Sequence, residues 1–403
     1  MTEPRRVLFL SSCVRGGGAG WSLYYLLKHL DRDAITPLVV VPDRGIFDAR
    51  FDALGVEVVV DPLLPHRVLE QRFDTNNPAT RAASATINGA RMGVFVGKLA
   101  ALVRARGIAL VQCNNMMVES LGAAAATLAN VPAVLHARNI HERPIPLHFY
   151  GNVARLPAVR RVIANSIATA APYRRTAPDK VVVIHNGIDL QEYGDVPRGR
   201  FRERHGLQGR TVIGFTGNLI PRKGIDVLIR ALARVVPEHP ELVLVVLGRV
   251  PLGSPIDYGA QYRALAEELG IAEHVRFVGF DPDVRAAVAD CDVLALPSLQ
   301  EPFGRSIIEA MALGATVLAS DVGGIPEIIE HGTHGLLAPP GDHVALADHL
   351  HSLAADPALR GRLAGAARAR VERDFDVAGL TARVQAELLA ASHVATAPFG
   401  RSR

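Results

Sequence analysis

The stretch LQEPFGRSIIEAMALG, Leu299 to Gly314, turns from loop to helix within a few residues and carries a carboxylate on each side of the change, Glu301 and Glu309. Gly304 frees backbone N–H groups at the helix start, where the positive end of the helix dipole attracts phosphate. A carboxylate accepts paired hydrogen bonds from hydroxyls such as those of a sugar. Capping or solvation accounts for either glutamate alone. Together they suit a ligand that carries both phosphates and hydroxyls.

A second junction of this kind is FTGNLIPRKGIDVLIRAL, in which Arg222 and Lys223 stand directly before a helix. Cations at a helix N-terminus oppose the dipole, and a bound anion would resolve that conflict; two solvated side chains are the plain alternative. Only Lys28, Lys98, Lys180 and Lys223 are lysines among the 44 basic residues. That arginine bias is typical of GC-rich bacterial coding. It makes Lys223 notable, because Lys and Arg differ as phosphate ligands. A third junction, SSCVRGGGAGWSLYYLLKHL, places Gly16, Gly17 and Gly18 between a strand and a helix. Glycines there permit positive φ and close backbone approach. The loop is not a Walker A motif and does not match GxGxxG, so a tight turn without a ligand is its plain alternative.

The elements that must position these residues read as repeated βα units. Continuous apolar runs at 7–10, 36–41, 56–60, 109–112, 133–136 and 161–166 suit strands of a parallel sheet covered on both faces. After VVVIHNG (181–187), a polar stretch from Ile188 to Gly206 looks like a passage between domains. The pattern then restarts with strands at 211–217, 241–248, 274–280, 292–298 and 316–320. The helix after Lys223 carries apolar residues at 225, 228, 229, 232 and 236, spaced for one face. The fold class expected is α/β, with two doubly wound Rossmann-like domains and ligands beyond the carboxyl ends of their strands.

Composition bounds the function. A chain of 403 residues exceeds one hydrophobic core. A net charge of +4 argues against nucleic acid as the main partner. Cys13, Cys113 and Cys291 are far apart without a CxxC pair, which fits a reducing cytoplasm and no structural zinc. The N-terminal apolar run is too short for a signal peptide, and no uncharged stretch reaches the length of a spanning helix.

HNGID (185–189), GNLIPRKG (217–224), ADCDVLALPSLQEPFGRSIIEAMALG (289–314), SDVGGIPEIIEHGTHGLLAPPGD (320–342) and RDFD (373–376) resemble, in order and spacing, the retaining glycosyltransferases of GT-B fold usually called family 4. The resemblance implies two domains, 1–187 on the acceptor side and 188–376 on the nucleotide-sugar side, facing across a cleft. A C-terminal helix at about 377–394 is expected to pack back on the first. It implies that Glu309 holds the ribose and that Glu301, with backbone groups of Phe303 and Gly304, holds the transferred sugar. Lys223 and Arg222 then neutralise the diphosphate, Gly17 and Gly18 close over the donor, and Gly217, Asn218, Arg305 and Ser306 complete the donor site. Asn218 stands where members often have Arg. On the acceptor side His136 is the chosen catalytic contact, with Arg138 and His141 as the other candidates.

The implied enzyme is a retaining hexosyltransferase that needs neither metal nor cofactor, with a nucleotide-diphosphate sugar as co-substrate. It would act on a glycan, glycolipid or small-molecule hydroxyl in cell-surface polysaccharide synthesis. Seven basic residues against two acidic ones from Arg67 to Arg106, and seven against one from Arg138 to Arg175, suggest contact with anionic lipid at the inner face of the plasma membrane. Solvated arginines are the plain alternative. Two other functions compete. A non-catalytic nucleotide-sugar-binding protein is expected to lack Lys223 or a motif glutamate. A nucleotide-dependent oxidoreductase needs a GxGxxG turn with an acidic partner.

Overall fold

Strand residues in this chain alternate between two apolar environments, the pattern of a sheet buried on both sides. Val7 and Phe9 pack with Leu23, Val39 and Val134, while Leu8 and Leu10 pack with Val40, Val111 and Leu135 on the other face. The computed structural model describes residues 3–13, 16–64, 78–140, 148–194, 196–251, 253–281 and 283–393. His141 lies outside them, as do Arg67, Arg72 and Arg143 of the two basic stretches.

The chain forms two units, residues 1–186 with 377–403, and residues 187–376. The first holds strands β1 (Arg5–Leu10), β2 (Ile35–Val41), β3 (Glu57–Val60), β4 (Leu110–Cys113), β5 (Ala133–Ala137), β6 (Val159–Ala164) and β7 (Val181–Val183). They pair in parallel in the order β3-β2-β1-β4-β5-β6-β7. The helix Val377–His393 belongs to this unit: Leu380, Val384 and Leu388 pack with Leu110, Val134 and Ile163, and Glu387 pairs with Arg161 at 2.8 Å.

The second unit holds β8 (Thr211–Thr216), β9 (Leu242–Leu247), β10 (Val275–Gly279), β11 (Val293–Leu296), β12 (Thr316–Ser320) and β13 (Leu336–Ala338), ordered β10-β9-β8-β11-β12-β13 and parallel throughout. Strand β13 is three residues long and has no periodicity that betrays it in the sequence. The polar stretch expected as an inter-domain passage is instead part of this unit. Asp290 accepts the backbone N–H groups of Gly199 and Phe201 at 2.6 and 3.0 Å, and Phe201 is buried against Val212 and Val243. In each sheet the strand order reverses once, between β1 and β4 and between β8 and β11. Those reversals are where such sheets receive ligands.

One carboxylate of the first unit is wholly buried. Glu119, on the helix Met116–Ala129, accepts a hydrogen bond from the Tyr173 hydroxyl at 2.7 Å, and its Oε1 has no partner among the described residues. Burial pushes its carboxyl up to about 7, although the Tyr173 hydroxyl pulls the other way. The folded state therefore binds a proton that the unfolded state has lost between about pH 4.5 and 7. Through this group, stability is present below that window and lost as pH rises through it. Glu119→Gln should remove that loss, on the order of 3 kcal/mol at pH 8; urea denaturation of both proteins at pH 5 and pH 8 measures it. An unchanged pH slope would mean that Glu119 is solvated.

Candidate functional site

In the second unit the loops after β8 and β11, the strands flanking the order reversal, meet in a buried ion pair. Lys223 Nζ lies 2.6 Å from Glu301 Oε2, with side chains 16% and 9% exposed. The Ser298 hydroxyl also donates to Glu301 Oε2, at 3.3 Å. Both contacts fall on Oε2. The conflict between Lys223 and the following helix is thus answered by an anion of the protein itself.

The backbone explains why the loops come so close. Leu299 N–H donates to the Arg222 carbonyl at 2.8 Å, and Arg222 Nη1 donates to the Gln300 carbonyl at 3.0 Å. Gly224, with φ 66°, caps the helix Ile225–Val235; a Cβ there would sit 2.0 Å from the Pro297 carbonyl oxygen. Gly323, φ 61°, backs the other side, where a Cβ would sit 1.9 Å from the Glu301 carbonyl oxygen. No side chain fits at either position. Phe303 anchors the loop by burying its ring beside Phe375, at 6.0 Å between centroids.

Gly304, with φ 104°, caps the helix Arg305–Ala312, and Glu309 stands one turn inside it. Arg305 Nε donates to Glu309 Oε1 at 2.7 Å. Ser306 is half-buried on the first turn, Gly217 follows β8 with φ 147°, and Asn218 beside it is exposed. The expected strand at 274–280 stops at Gly279, whose φ of 81° turns Phe280 outward to 67% exposure. Arg249, just after β9, holds its guanidinium 5.3 Å from the Phe280 ring. Neither residue stands out in the sequence, because Phe280 reads as the last apolar residue of a strand.

In the first unit, Gly16 and Gly17 take φ of 111° and 93°, and Gly18 opens the helix Gly18–His29 in ordinary helical backbone. His136, the penultimate residue of β5, is 3% exposed. Its Nδ1 faces Gln112 Nε2 at 3.2 Å and Arg138 Nη2 at 3.0 Å. With two donors aimed at Nδ1, the ring proton resides on Nε2. Burial, then the Arg138 charge, hold its pKa well below the ordinary histidine value, so it is a neutral hydrogen-bond donor. Arg138 is buried too and donates from Nη1 to Asn186 Oδ1 at 2.6 Å; Asn186 Oδ1 also accepts from Ser22 at 3.1 Å. Arg138 therefore points inward and fixes His136 and Asn186.

Two Rossmann-like domains with polar clusters at their strand reversals define the GT-B fold. The family descriptions "Glycosyltransferase Family 4" and "Glycosyl transferases group 1" match residues 16–192 and 197–370. The chain belongs to the group 1 glycosyltransferases. Anabaena HepE, solved in complex with UDP-glucose, is similar at TM-score 0.78 and 28% identity over 96% of this chain and 99% of that one. Sucrose-phosphate synthase from Thermosynechococcus elongatus shares the fold at TM-score 0.77 and 22% identity, over 96% of this chain and 100% of its own. Among curated relatives, D-inositol 3-phosphate glycosyltransferase of Streptomyces bingchenggensis is 35% identical over 247 residues, 58% of this chain and 54% of its own length. That of Streptomyces scabiei is 37% identical over 235 residues, 55% and 52%. The chain spans about half the length of these curated relatives.

Removing one partner of a buried ion pair leaves the other charge uncompensated, at a cost of about 3–5 kcal/mol. Lys223→Ala should destabilise the second unit on that scale, and adding Glu301→Gln should recover part of the loss. A double-mutant cycle in urea reads the coupling; strictly additive losses would mean that the two side chains do not interact.

Proposed function

We propose that this protein transfers a sugar from a nucleotide-diphosphate sugar to an acceptor hydroxyl, with retention of anomeric configuration and without a metal. The observation that carries this reading is the Lys223–Glu301 pair at the β8/β11 reversal, with Glu309 behind it on the helix capped by Gly304. The UDP-glucose complex of Anabaena HepE supports a nucleotide-sugar donor, with UDP-sugars first to be tried.

The residues divide the work by charge. Lys223 has protons beyond the one directed at Glu301, and with Arg222 it meets the diphosphate. As the sugar–phosphate bond breaks, charge grows on the bridging oxygen, and these fixed cations stabilise it in a site that needs little reorganisation. Glu301 Oε1 holds hydroxyls of the transferred sugar and Glu309 holds the ribose. The Phe280 ring, steadied by Arg249, offers a stacking face for the base. The acceptor hydroxyl attacks on the face the diphosphate leaves, and the departing phosphate takes its proton. The two glutamates therefore position the donor and move no proton, unlike the carboxylate pair of a glycoside hydrolase.

On the acceptor side, neutral His136 donates from Nε2. The D-inositol 3-phosphate glycosyltransferases among the relatives make D-inositol 3-phosphate one acceptor to test, beside glycans and glycolipids of the cell surface. No helix among the described residues is long and apolar enough to cross a membrane. The basic stretches of the first unit favour peripheral attachment to anionic lipid at the cytoplasmic face, and flotation with anionic liposomes at low salt tests it. Protein that stays at the bottom of the gradient would remove the membrane from the reading.

A thermal-shift panel of nucleotide sugars should single out a donor through mass-action stabilisation. Turnover of that donor should survive EDTA, and NMR of the product should show the retained anomer. Lys223→Ala should lower turnover by about tenfold or more while remaining folded, in line with loss of one charged transition-state contact, and Glu309→Ala should lower turnover at sub-saturating donor by about tenfold or more through weaker donor binding. Phe280→Ala should raise donor KM and spare kcat. Full activity in both of the first two variants would sink the donor-site assignment.

A further inference from the structure

Arg305 is an awkward residue for its position. It is the first residue of the helix Arg305–Ala312, where the dipole disfavours a cation. Its partner Glu309 lies one turn later, and basic-before-acidic is the weaker order for an i,i+4 pair. Helix stability therefore does not explain the pair. Yet the arginine side chain is only 10% exposed, and its Nε–Glu309 Oε1 contact is short, 2.7 Å. Its Nη1 also donates to the Gly187 carbonyl at 3.3 Å. One planar guanidinium thus spans the helix and the chain segment that opens the second unit. Two fixed partners leave it little rotational freedom.

Glu309 alone is a flexible side chain, 27% exposed. With Oε1 taken by Arg305, its carboxylate plane is set and Oε2 is presented in one direction. We propose that Arg305 is a positioning residue: it holds Glu309 in the orientation that receives the ribose hydroxyls of the donor, before the donor arrives. This rests on the reading of Glu309 given above. The gain is pre-organisation, since a side chain already ordered loses less freedom on binding. Arg305 then affects donor affinity only through Glu309, although a cation at a helix start invites assignment to the phosphate.

Calorimetric titration with UDP, and with GDP and ADP in parallel, separates these roles in four proteins: wild type, Arg305→Leu, Glu309→Gln and the double variant. Arg305→Leu should weaken binding about three- to tenfold. The double variant should bind no more weakly than Glu309→Gln alone. In turnover, donor KM should rise for Arg305→Leu with kcat within about twofold, since only pre-organisation is lost. Arg305→Lys keeps the charge without the fork and should fall between wild type and Arg305→Leu; it carries the same test if the leucine variant does not fold. Wild-type affinity in Arg305→Leu overturns the proposal. So does an equal loss with or without Glu309, which would put Arg305 on the diphosphate itself. Unchanged affinity in Glu309→Gln overturns the ribose reading and the proposal with it, a result that the Arg305 variants alone do not produce.

Discussion

The second unit is organised around one buried pair of charges. Lys223 and Glu301 come from loops 78 residues apart in sequence and meet at 2.6 Å. Desolvating both is costly, and a pair of apolar residues would serve stability as well or better. What the pair supplies is a cation and a carboxylate held at fixed positions beyond the carboxyl ends of two central strands. The surrounding geometry follows from that demand. Gly224 and Gly323 are pressed against carbonyls on either side of the β11 loop, the Arg222 carbonyl ties down Leu299, and Phe303 sinks its ring into the core beneath. A Cβ at either glycine would drive the loops apart and leave two buried charges without each other.

The polar cluster of the first unit is built on hydrogen bonds with one partner kept neutral. Gln112, His136, Arg138, Asn186 and Ser22 form a continuous chain from β4 and β5 to the helix after the glycine loop. Burial, helped by the Arg138 charge inside this chain, holds the imidazole unprotonated. A neutral histidine here donates a directed hydrogen bond and does not act as a base at physiological pH. The two units thus differ in kind: an ion pair organises the polar cluster of one, and a buried arginine bonded to neutral partners organises that of the other.

The α/β class and the glycosyltransferase resemblance were legible because their signals are local. Fully buried parallel strands are short continuous apolar runs, and the loop motifs lie within a few residues of the strands that carry them. Glu301, Lys223 and Glu309 could be named because their chemistry is written into adjacent residue types. Tertiary partners could not be read this way. Asp290 captures the backbone of Gly199 and Phe201 about ninety residues away, which turned an apparent passage into part of the second unit. Arg138 resembles a free basic residue in sequence, and only its contacts show it turned inward on Asn186. Phe280 looked like strand and became surface because a positive φ at Gly279 reverses the chain before it. Nothing local announced the burial of Glu119, since a glutamate in the first turn of a helix is usually solvated.

Charge pairing around these loops bears directly on how a donor would bind. Lys223 is matched by Glu301 and Arg305 by Glu309, and Arg222 donates to the Gln300 carbonyl. Each of the two pairs is balanced before any ligand binds, which lets its charges stay partly buried. In the proposed reaction a diphosphate adds negative charge beside Lys223, and Glu301 then competes with it for the same ammonium. The competition is relieved if sugar hydroxyls donate to Glu301 and draw part of its charge away. Donor phosphate and donor sugar would then favour each other's binding, and a nucleoside diphosphate without its sugar would meet a lysine still shared with Glu301. Discrimination between donor and product would follow from one lysine with two claimants.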